Sequence, residues 1–279
     1  MRWLLGCSLA TCSGGELAAQ HLIRYDSQDW NIEVSVNGVP VLKEDRGGGT
    51  RPISVMVVNG VNKVEIAADP PDTDTDAFTI LLVTADQKTG KETLLHAFAP
   101  VPTDTNFPIR KAFQFRATVP FSWAWEGGTN IVALTDQDRD QIWKQIEALS
   151  DSYKAKDVNA HVKLRSAALS DALKATTQSK AEIERSYAET ITGIFNRKPY
   201  QVNLRDRADL SFEPHGRITV VSSKLPRPND TVISINTSGP EASERDLRFS
   251  QKGIRTGGLN YSERELWFSK IRNKWEIVN

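Results

Sequence analysis

The sequence predicts an α+β fold class: an N-terminal antiparallel β-sandwich followed by a domain in which three helices precede a meandering antiparallel sheet. Apolar residues alternate with period two from Trp30 to about Gly128, with turn residues between the runs. Beyond Gly127-Gly128 the period becomes that of a helix, and after Pro199 the alternation returns. The boundaries follow these changes: 1–20 a leader-like segment, 21–130 the β-sandwich, 131–279 the α+β domain. With 279 residues, 39% of them hydrophobic and 25% charged, the chain suits two packed domains and excludes disorder or a fibrous repeat. No apolar run reaches bilayer length, and mean hydropathy is −0.41, so no transmembrane span is expected. Lys and Arg number 35 against 35 Asp and Glu, which leaves no long-range field to gather nucleic acid or anionic lipid.

The first ten residues, Met1 to Ala10, place one positive charge before a short apolar run and small residues, the order of a secretory signal. Gly6, Cys7 and Ser8 interrupt the run, so either the true start lies upstream or the segment is not a signal. Leu4-Leu5-Gly6-Cys7 resembles the lipobox of bacterial lipoproteins, which would make Cys7 a lipidation site. The expected location is the periplasm or cell envelope, with the cytoplasm as the alternative. No cysteine follows Cys12, so the folded body is expected to have no disulfide, thiolate nucleophile or cysteine metal site.

In the first half, Trp30, Ile32, Val34 and Val36 share one face of a strand. Asn37-Gly38 supplies the positive φ angles of a tight hairpin turn, and Val39 to Leu42 returns. Gly47-Gly48-Gly49 reads as a flexible connector. Ile53 to Val58 forms the next strand, a second Asn-Gly at Asn59-Gly60 turns the chain, and Val64, Ile66 and Ala68 follow. Phe78, Ile80 and Leu82 make another strand, as do Leu94, His96 and Phe98. The run from Phe113 to Trp125 keeps seven apolar residues on one parity, with Pro120 marking an edge or a bend. About seven strands of this kind suggest two packed antiparallel sheets.

In the second half, Ile142, Ile146, Leu149 and Tyr153 form the stripe of an amphipathic helix capped by Thr135 or Asp136. Val158, Val162, Leu169 and Leu173 continue in one helix after Asp157. Ser179 and Glu182 form a capping box ahead of Ile183, Tyr187, Ile191, Ile194 and Phe195, and Lys198-Pro199 closes that third helix. Strands follow at Tyr200 to Leu204, Leu210 to Phe212, Ile218 to Val220, Ile233 to Ile235, Leu247 to Phe249 and Leu266 to Ile271, and the last is Trp275 to Val278. Helices first and a sheet afterwards define an α+β domain. Charge divides along the same line, with 10 basic and 14 acidic residues from His21 to Asn130 against 24 and 20 from Ile131 onward.

Ile146-Glu147-Ala148-Leu149 with Tyr153, Asp157-Val158-Asn159-Ala160, Leu266-Trp267-Phe268 and Lys274-Trp275-Glu276-Ile277 together resemble the NTF2-like superfamily, including its SnoaL-like branch. The resemblance covers roughly residues 136 to 279. It implies a cone, a curved antiparallel sheet around a long helix with a pocket at the open end, and homodimerisation through the open face of the sheet. Members include isomerases, cyclases, dehydratases and non-catalytic binding modules, so the fold does not choose among them. In the first half, Ser35 to Val41 and Val58 to Ile66 resemble hairpins of the jelly-roll and immunoglobulin-like sandwiches of exported bacterial proteins, which serve as spacers, adhesive surfaces or carbohydrate binders.

Asp72, Asp74 and Asp76 have the spacing of a calcium loop, but Ala77 and Val83 stand where its Gly and bidentate Glu belong, so an acidic turn is expected. His21, His96, His161 and His215 share no metal-ligand spacing. His96 reads as a core histidine and His215 as a solvated turn residue. His161 lies one helical turn before Arg165, either as a helix-surface pair or at the mouth of the cone. No Gly-x-Ser-x-Gly elbow occurs. Trp123 and Trp125 read as core residues, with an exposed aromatic platform as the alternative.

The reading these observations favour is an exported, non-catalytic, two-domain binding protein that recognises a protein partner or a small apolar ligand. Tyr187, Trp267, His161 and Arg165 are its candidate ligand-binding residues. No catalytic residue, metal or cofactor is assigned. The alternative is a SnoaL-like or ketosteroid-isomerase-like enzyme that transfers protons in the cone, with Tyr187, His161 and one of Asp209, Glu213 or Glu265 as the acid/base set.

Overall fold

A computed structural model of the chain describes residues 19–27, 30–44, 47–70, 78–86, 89–100, 108–175, 178–197, 200–224, 231–236, 261–263 and 265–278. The fold is α+β, with every strand pairing antiparallel among these residues. Two units separate: one runs up to Trp123 and takes in Lys174 and Ala175, the other comprises Ala124–Leu173 and the residues from Gln178 onward. Cys7, the Asp72, Asp74 and Asp76 turn, Lys198-Pro199 and the strand expected at Leu247 to Phe249 lie outside the described residues.

The first unit contains β1 (Ala19–Asp26), β2 (Asn31–Val36), β3 (Val39–Glu44), β4 (Gly48–Pro52), β5 (Gly60–Asp69), β6 (Thr79–Asp86), β7 (Glu92–Phe98) and β8 (Ile109–Ala117). They form two four-stranded sheets, ordered β4-β1-β6-β7 and β3-β2-β5-β8. The alternation read from the sequence sets the second of these. Ile32, Val34 and Val36 of β2 stand opposite Ala68, Ile66 and Val64 of β5, all buried. The Asn37-Gly38 turn takes φ of 52° and 81°, both positive, and its handedness matches the twist of the strands it joins.

Several expectations for this unit are corrected. Gly48 and Gly49, expected in a flexible connector, belong to β4 and pair with Asp26 and Tyr25. A Cβ on Gly48 would lie 2.9 Å from the Tyr25 carbonyl oxygen, so glycine there permits close strand approach. Ile53 to Val58 is not a strand but a 3₁₀ turn at Ser54–Met56. Its buried apolar residues Ile53, Met56 and Val57 follow a helical spacing. β1 was not expected at all, because His21, Leu22 and Ile23 are buried consecutively and leave no alternation to read. Its first two residues, Ala19 and Gln20, pair with Asp86 and Ala85.

β7 reads as half-buried in sequence but is exposed along nearly its whole length, with Leu94 56% accessible, because it is the last strand of its sheet. His96 is therefore exposed rather than a core residue, and its ring stacks 3.8 Å from that of Phe113. β8 stops at Ala117, ahead of Pro120, so Trp123 and Trp125 do not extend it. Both are buried. Trp123 donates its indole N–H to the Val57 carbonyl at 2.8 Å, and Trp125 sits in the 3₁₀ turn Ala124–Gly127.

The second unit holds α1 (Asp136–Ala155), α2 (Val158–Leu164), α3 (Ser166–Ala175, whose last two residues group with the first unit) and α4 (Lys180–Phe195). Its strands are β9 (Gln201–Leu204), β10 (Leu210–His215), β11 (Ile218–Ser223), β12 (Ile233–Asn236), β13 (Tyr261–Glu263), β14 (Glu265–Ile271) and β15 (Lys274–Ile277). They form two sheets, ordered β10-β11-β14-β15 and β13-β12-β9. Of the two caps offered for α1 the structure uses Thr135, in a reciprocal capping box with Asp138, and the expected box of Ser179 with Glu182 forms at α4. The α1 stripe of Ile142, Ile146, Leu149 and Tyr153 is fully buried against Phe212, Val221, Ile233, Leu266, Phe268 and Ile277. Each such side chain contributes roughly 1.5–3 kcal/mol by leaving water.

The single helix expected from Val158 to Leu173 is two, making four helices instead of three. The break falls at Arg165, whose φ and ψ of −95° and 12° leave the helical region and whose N–H is shared between the His161 and Val162 carbonyls. Val158 and Val162 continue the apolar stripe in sequence yet are only half-buried, and the inward positions of α2 belong to His161 and Arg165. No helix among the described residues is long and apolar enough to cross a membrane.

Candidate functional site

A polar cluster sits where α1 turns into α2. Lys156 ends α1 in the left-handed conformation, φ 55°, and Asp157 caps α2 by accepting from the Ala160 N–H at 2.9 Å. That tight corner sets the last turn of α1, with Ser152 and Tyr153, beside the inward face of α2, with His161 and Arg165. The Lys156 ammonium donates to the Phe195 carbonyl and lies 4.5 Å over the Tyr200 ring, whose hydroxyl donates to the Tyr153 carbonyl at 2.9 Å. The corner is thereby tied to the end of α4 and the start of β9.

Proton inventory assigns the His161 tautomer. The single hydroxyl proton of Ser152 goes to the Leu149 carbonyl at 2.7 Å, so Ser152 Oγ accepts from His161 Nδ1–H at 3.0 Å. His161 Nε2 then carries the lone pair and accepts the Tyr187 hydroxyl proton at 2.9 Å. The Tyr187 hydroxyl in turn lies within hydrogen-bonding reach of the Arg165 guanidinium. Arg165 pairs with the Glu263 carboxylate, which also accepts from the Tyr153 hydroxyl at 2.9 Å. His161 is fully buried, Arg165 5% exposed and the Glu263 side chain 12% exposed. Three rings surround the imidazole, Tyr153 at 4.5 Å, Tyr187 at 5.8 Å and Phe195 at 6.4 Å.

His161, Tyr187 and Glu263 all have pKa values moved away from neutral pH. Burial, reinforced by the Arg165 charge, pushes the His161 imidazole down to about 3. Burial pushes the Tyr187 phenol up to about 12 even though Arg165 acts against it. Burial also acts to raise Glu263, but the Arg165 charge, the Tyr153 hydrogen bond and the rest of the cluster overcome it and hold the carboxyl below its usual range. At neutral pH the cluster is therefore one ion pair, Arg165 with Glu263, flanked by a neutral histidine and neutral tyrosines.

Three of the sequence's candidate residues, His161, Arg165 and Tyr187, meet here, and the expected helix-surface pair of His161 and Arg165 is instead buried. Trp267 is not with them. Its neighbours Leu266 and Phe268 enter the core, so Trp267 faces the other side of the sheet, where Ala124–Gly127 packs on β14. None of Asp209, Glu213 or Glu265 is the carboxylate of the cluster. Asp209 ends a 3₁₀ turn, Glu213 is exposed and accepts from Ser211 at 2.7 Å, and Glu265 is exposed. Their place is taken by Glu263, which sequence reasoning missed together with Ser152 and the Tyr153 hydroxyl. The His161–Arg165 spacing was the one readable signal, since Glu263 is 98 residues from Arg165.

Among the described residues, no group of three or more His, Cys, Asp or Glu side chains is placed to hold a metal ion. Comparison with protein-family models, with curated proteins and with solved structures finds no match to the chain.

Proposed function

We propose that this protein is a non-catalytic binding protein, a β-sandwich followed by an NTF2-like α+β unit, whose interior polar cluster organises the second unit and does not react. The observation that carries this reading is the set of protonation states. A general acid or base works best with a pKa near the operating pH, whereas His161 is held at about 3, Tyr187 at about 12, and Glu263 below the usual carboxylate range. Rings occupy the space around the imidazole, and the tautomer places its lone pair on the Tyr187 proton. The order of a capped long helix, three shorter helices and then only antiparallel strands supports the NTF2-like part. The two four-stranded antiparallel sheets of the first unit support the sandwich part. An exported location belongs to the same reading and rests on Met1 to Ala10.

The proton-transfer alternative draws on the same geometry, a shielded carboxylate hydrogen-bonded to a tyrosine beside a histidine–tyrosine contact. Nuclear magnetic resonance of the His161 ring, followed from about pH 8 to about pH 5, decides between them. The non-catalytic reading expects a neutral Nδ1–H tautomer throughout. A His161 that gains a proton near neutrality refutes it. Homodimerisation through the sheet is also part of this reading, and light scattering that returns 31.1 kDa rejects it.

A further inference from the structure

The outer surface of the second unit carries an open groove of about 700 Å³. One wall is an α1 stripe of Gln141, Lys144, Gln145 and Ala148, at helical spacing i, i+3, i+4 and i+7, and the other comes from α2, the start of α3, Asn273 of the β14–β15 turn and the first residues of β15. The apolar residues of the lining are Ala148 on α1, Ala160 and Leu164 on α2, and the buried Trp275. Lys144, Lys163 and Lys274 also line the groove, each exposed, and none makes a salt bridge with a carboxylate among the described residues. Glu276 is the single carboxylate of the lining.

We propose that this groove binds an extended acidic peptide segment of a partner protein, with apolar side chains spaced between the acidic ones; the proposal rests on the non-catalytic binding reading and names its site and ligand class. Charge selects the sign of the ligand, since three lysines without a salt bridge among the described residues face one carboxylate in the lining. The lining amides select a polypeptide. Gln141, Gln145 and Asn273 each present a donor and an acceptor, the complement of peptide N–H and C=O groups. Shape agrees, because small-molecule sites enclose most of their ligand, whereas this groove is open and suits a chain that enters at one end and leaves at the other. The site lies away from the interior cluster: α2 turns His161 and Arg165 inward while Ala160, Lys163 and Leu164 line the groove.

The test uses the full chain and a fluorescein-labelled peptide of repeating Glu-Glu-Leu, read by anisotropy at low ionic strength, with repeating Gln-Gln-Leu as the uncharged control. Saturable binding of the acidic peptide alone is expected. Each of K144E, K163E and K274E should weaken it roughly 2- to 10-fold, and the triple variant more than about 8-fold. All three lysines are exposed, so the variants should keep the circular dichroism spectrum and melting temperature of the parent. Equal binding of both peptides, or parent-like affinity in the triple variant, overturns the proposal. Displacement by citrate or tripolyphosphate at matched charge concentration also overturns it, in favour of a small-anion site. Failure here with a neutral His161 removes the groove alone, whereas a titrating His161 removes the non-catalytic reading whatever the peptide does.

Discussion

Replacing Arg165 with Met keeps most of the side-chain volume and removes the cation that holds Glu263 ionised. The carboxylate, 12% exposed, keeps the Tyr153 hydroxyl but loses its cation, and taking up a proton relieves the buried charge. At about pH 7.5 that costs about 4 kcal/mol, the work of protonating a carboxyl about three pH units above its ordinary 4.5. This agrees with the roughly 3–5 kcal/mol typical of breaking a buried pair from one side. At about pH 5.5 the same protonation costs only about 1.4 kcal/mol. The variant's deficit in urea unfolding should therefore shrink by about 2–3 kcal/mol between the two pH values. The sign follows from the carboxyl: in the parent its folded pKa lies below the unfolded value and its contribution is lost as pH falls, whereas in Arg165→Met it lies above and the loss runs the other way. E263Q supplies the control. It strands a guanidinium that cannot shed its proton, so its deficit should change little with pH by this route. A deficit for Arg165→Met below about 1 kcal/mol at pH 7.5, or one that does not change with pH, would refute the argument.

Four further outcomes follow from the same geometry. His161 refuses a proton in the folded state that it accepts in the unfolded chain near 6.5, so parent stability should fall by up to about 1.4 kcal/mol per pH unit below that value, and His161→Phe should flatten this slope in urea titrations. Asp138 accepts from Thr135, from Lys270 at 2.8 Å and from Trp275 at 3.1 Å, and these bonds hold its carboxyl well below the usual range despite burial. Asp138→Ala should cost about 2–4 kcal/mol in chemical denaturation, and a loss under about 0.5 kcal/mol would show that the tie between α1 and the sheet carries little. A Cβ at Gly128 would fall 2.1 Å from Ser269 Oγ and 3.0 Å from the Trp125 carbonyl, so Gly128→Ala should destabilise by about 1–3 kcal/mol, read as a lower melting temperature. Arg272 holds φ 49° in the β14–β15 turn, and Arg272→Gly should stabilise by about 0.5–1 kcal/mol; a lowered melting temperature would contradict the strain assigned there.

How far the fold could be read depended on whether burial was one-sided. β2 and β5 were legible because each buries one face, so Ile32, Val34 and Val36 alternate with polar residues. α1 and α4 were legible because an apolar stripe coincides with a side-chain cap at Thr135 and Ser179. β1 was not, since His21, Leu22 and Ile23 are buried in a row, which erases the period. The break at Arg165 was hidden because Val162 and Leu169 keep helical spacing across it. Within the site, His161 and Arg165 were visible as one helical turn, while Glu263 looked like any other glutamate of the closing strands.

By itself the sequence determined the α+β class, the cap of α4 and the Asn37-Gly38 hairpin, and narrowed the cap of α1 to Thr135 or Asp136, because each depends on residues within a few positions of one another. Only the tertiary structure decided that β7 stays exposed, that Trp267 faces away from His161, and that Glu263 meets Arg165 across 98 residues of chain. Those outcomes depend on which strand ends a sheet and which helix face meets it. The ionisation of the cluster depends on them too, since the pKa of a buried group is set by neighbours that chain order does not reveal.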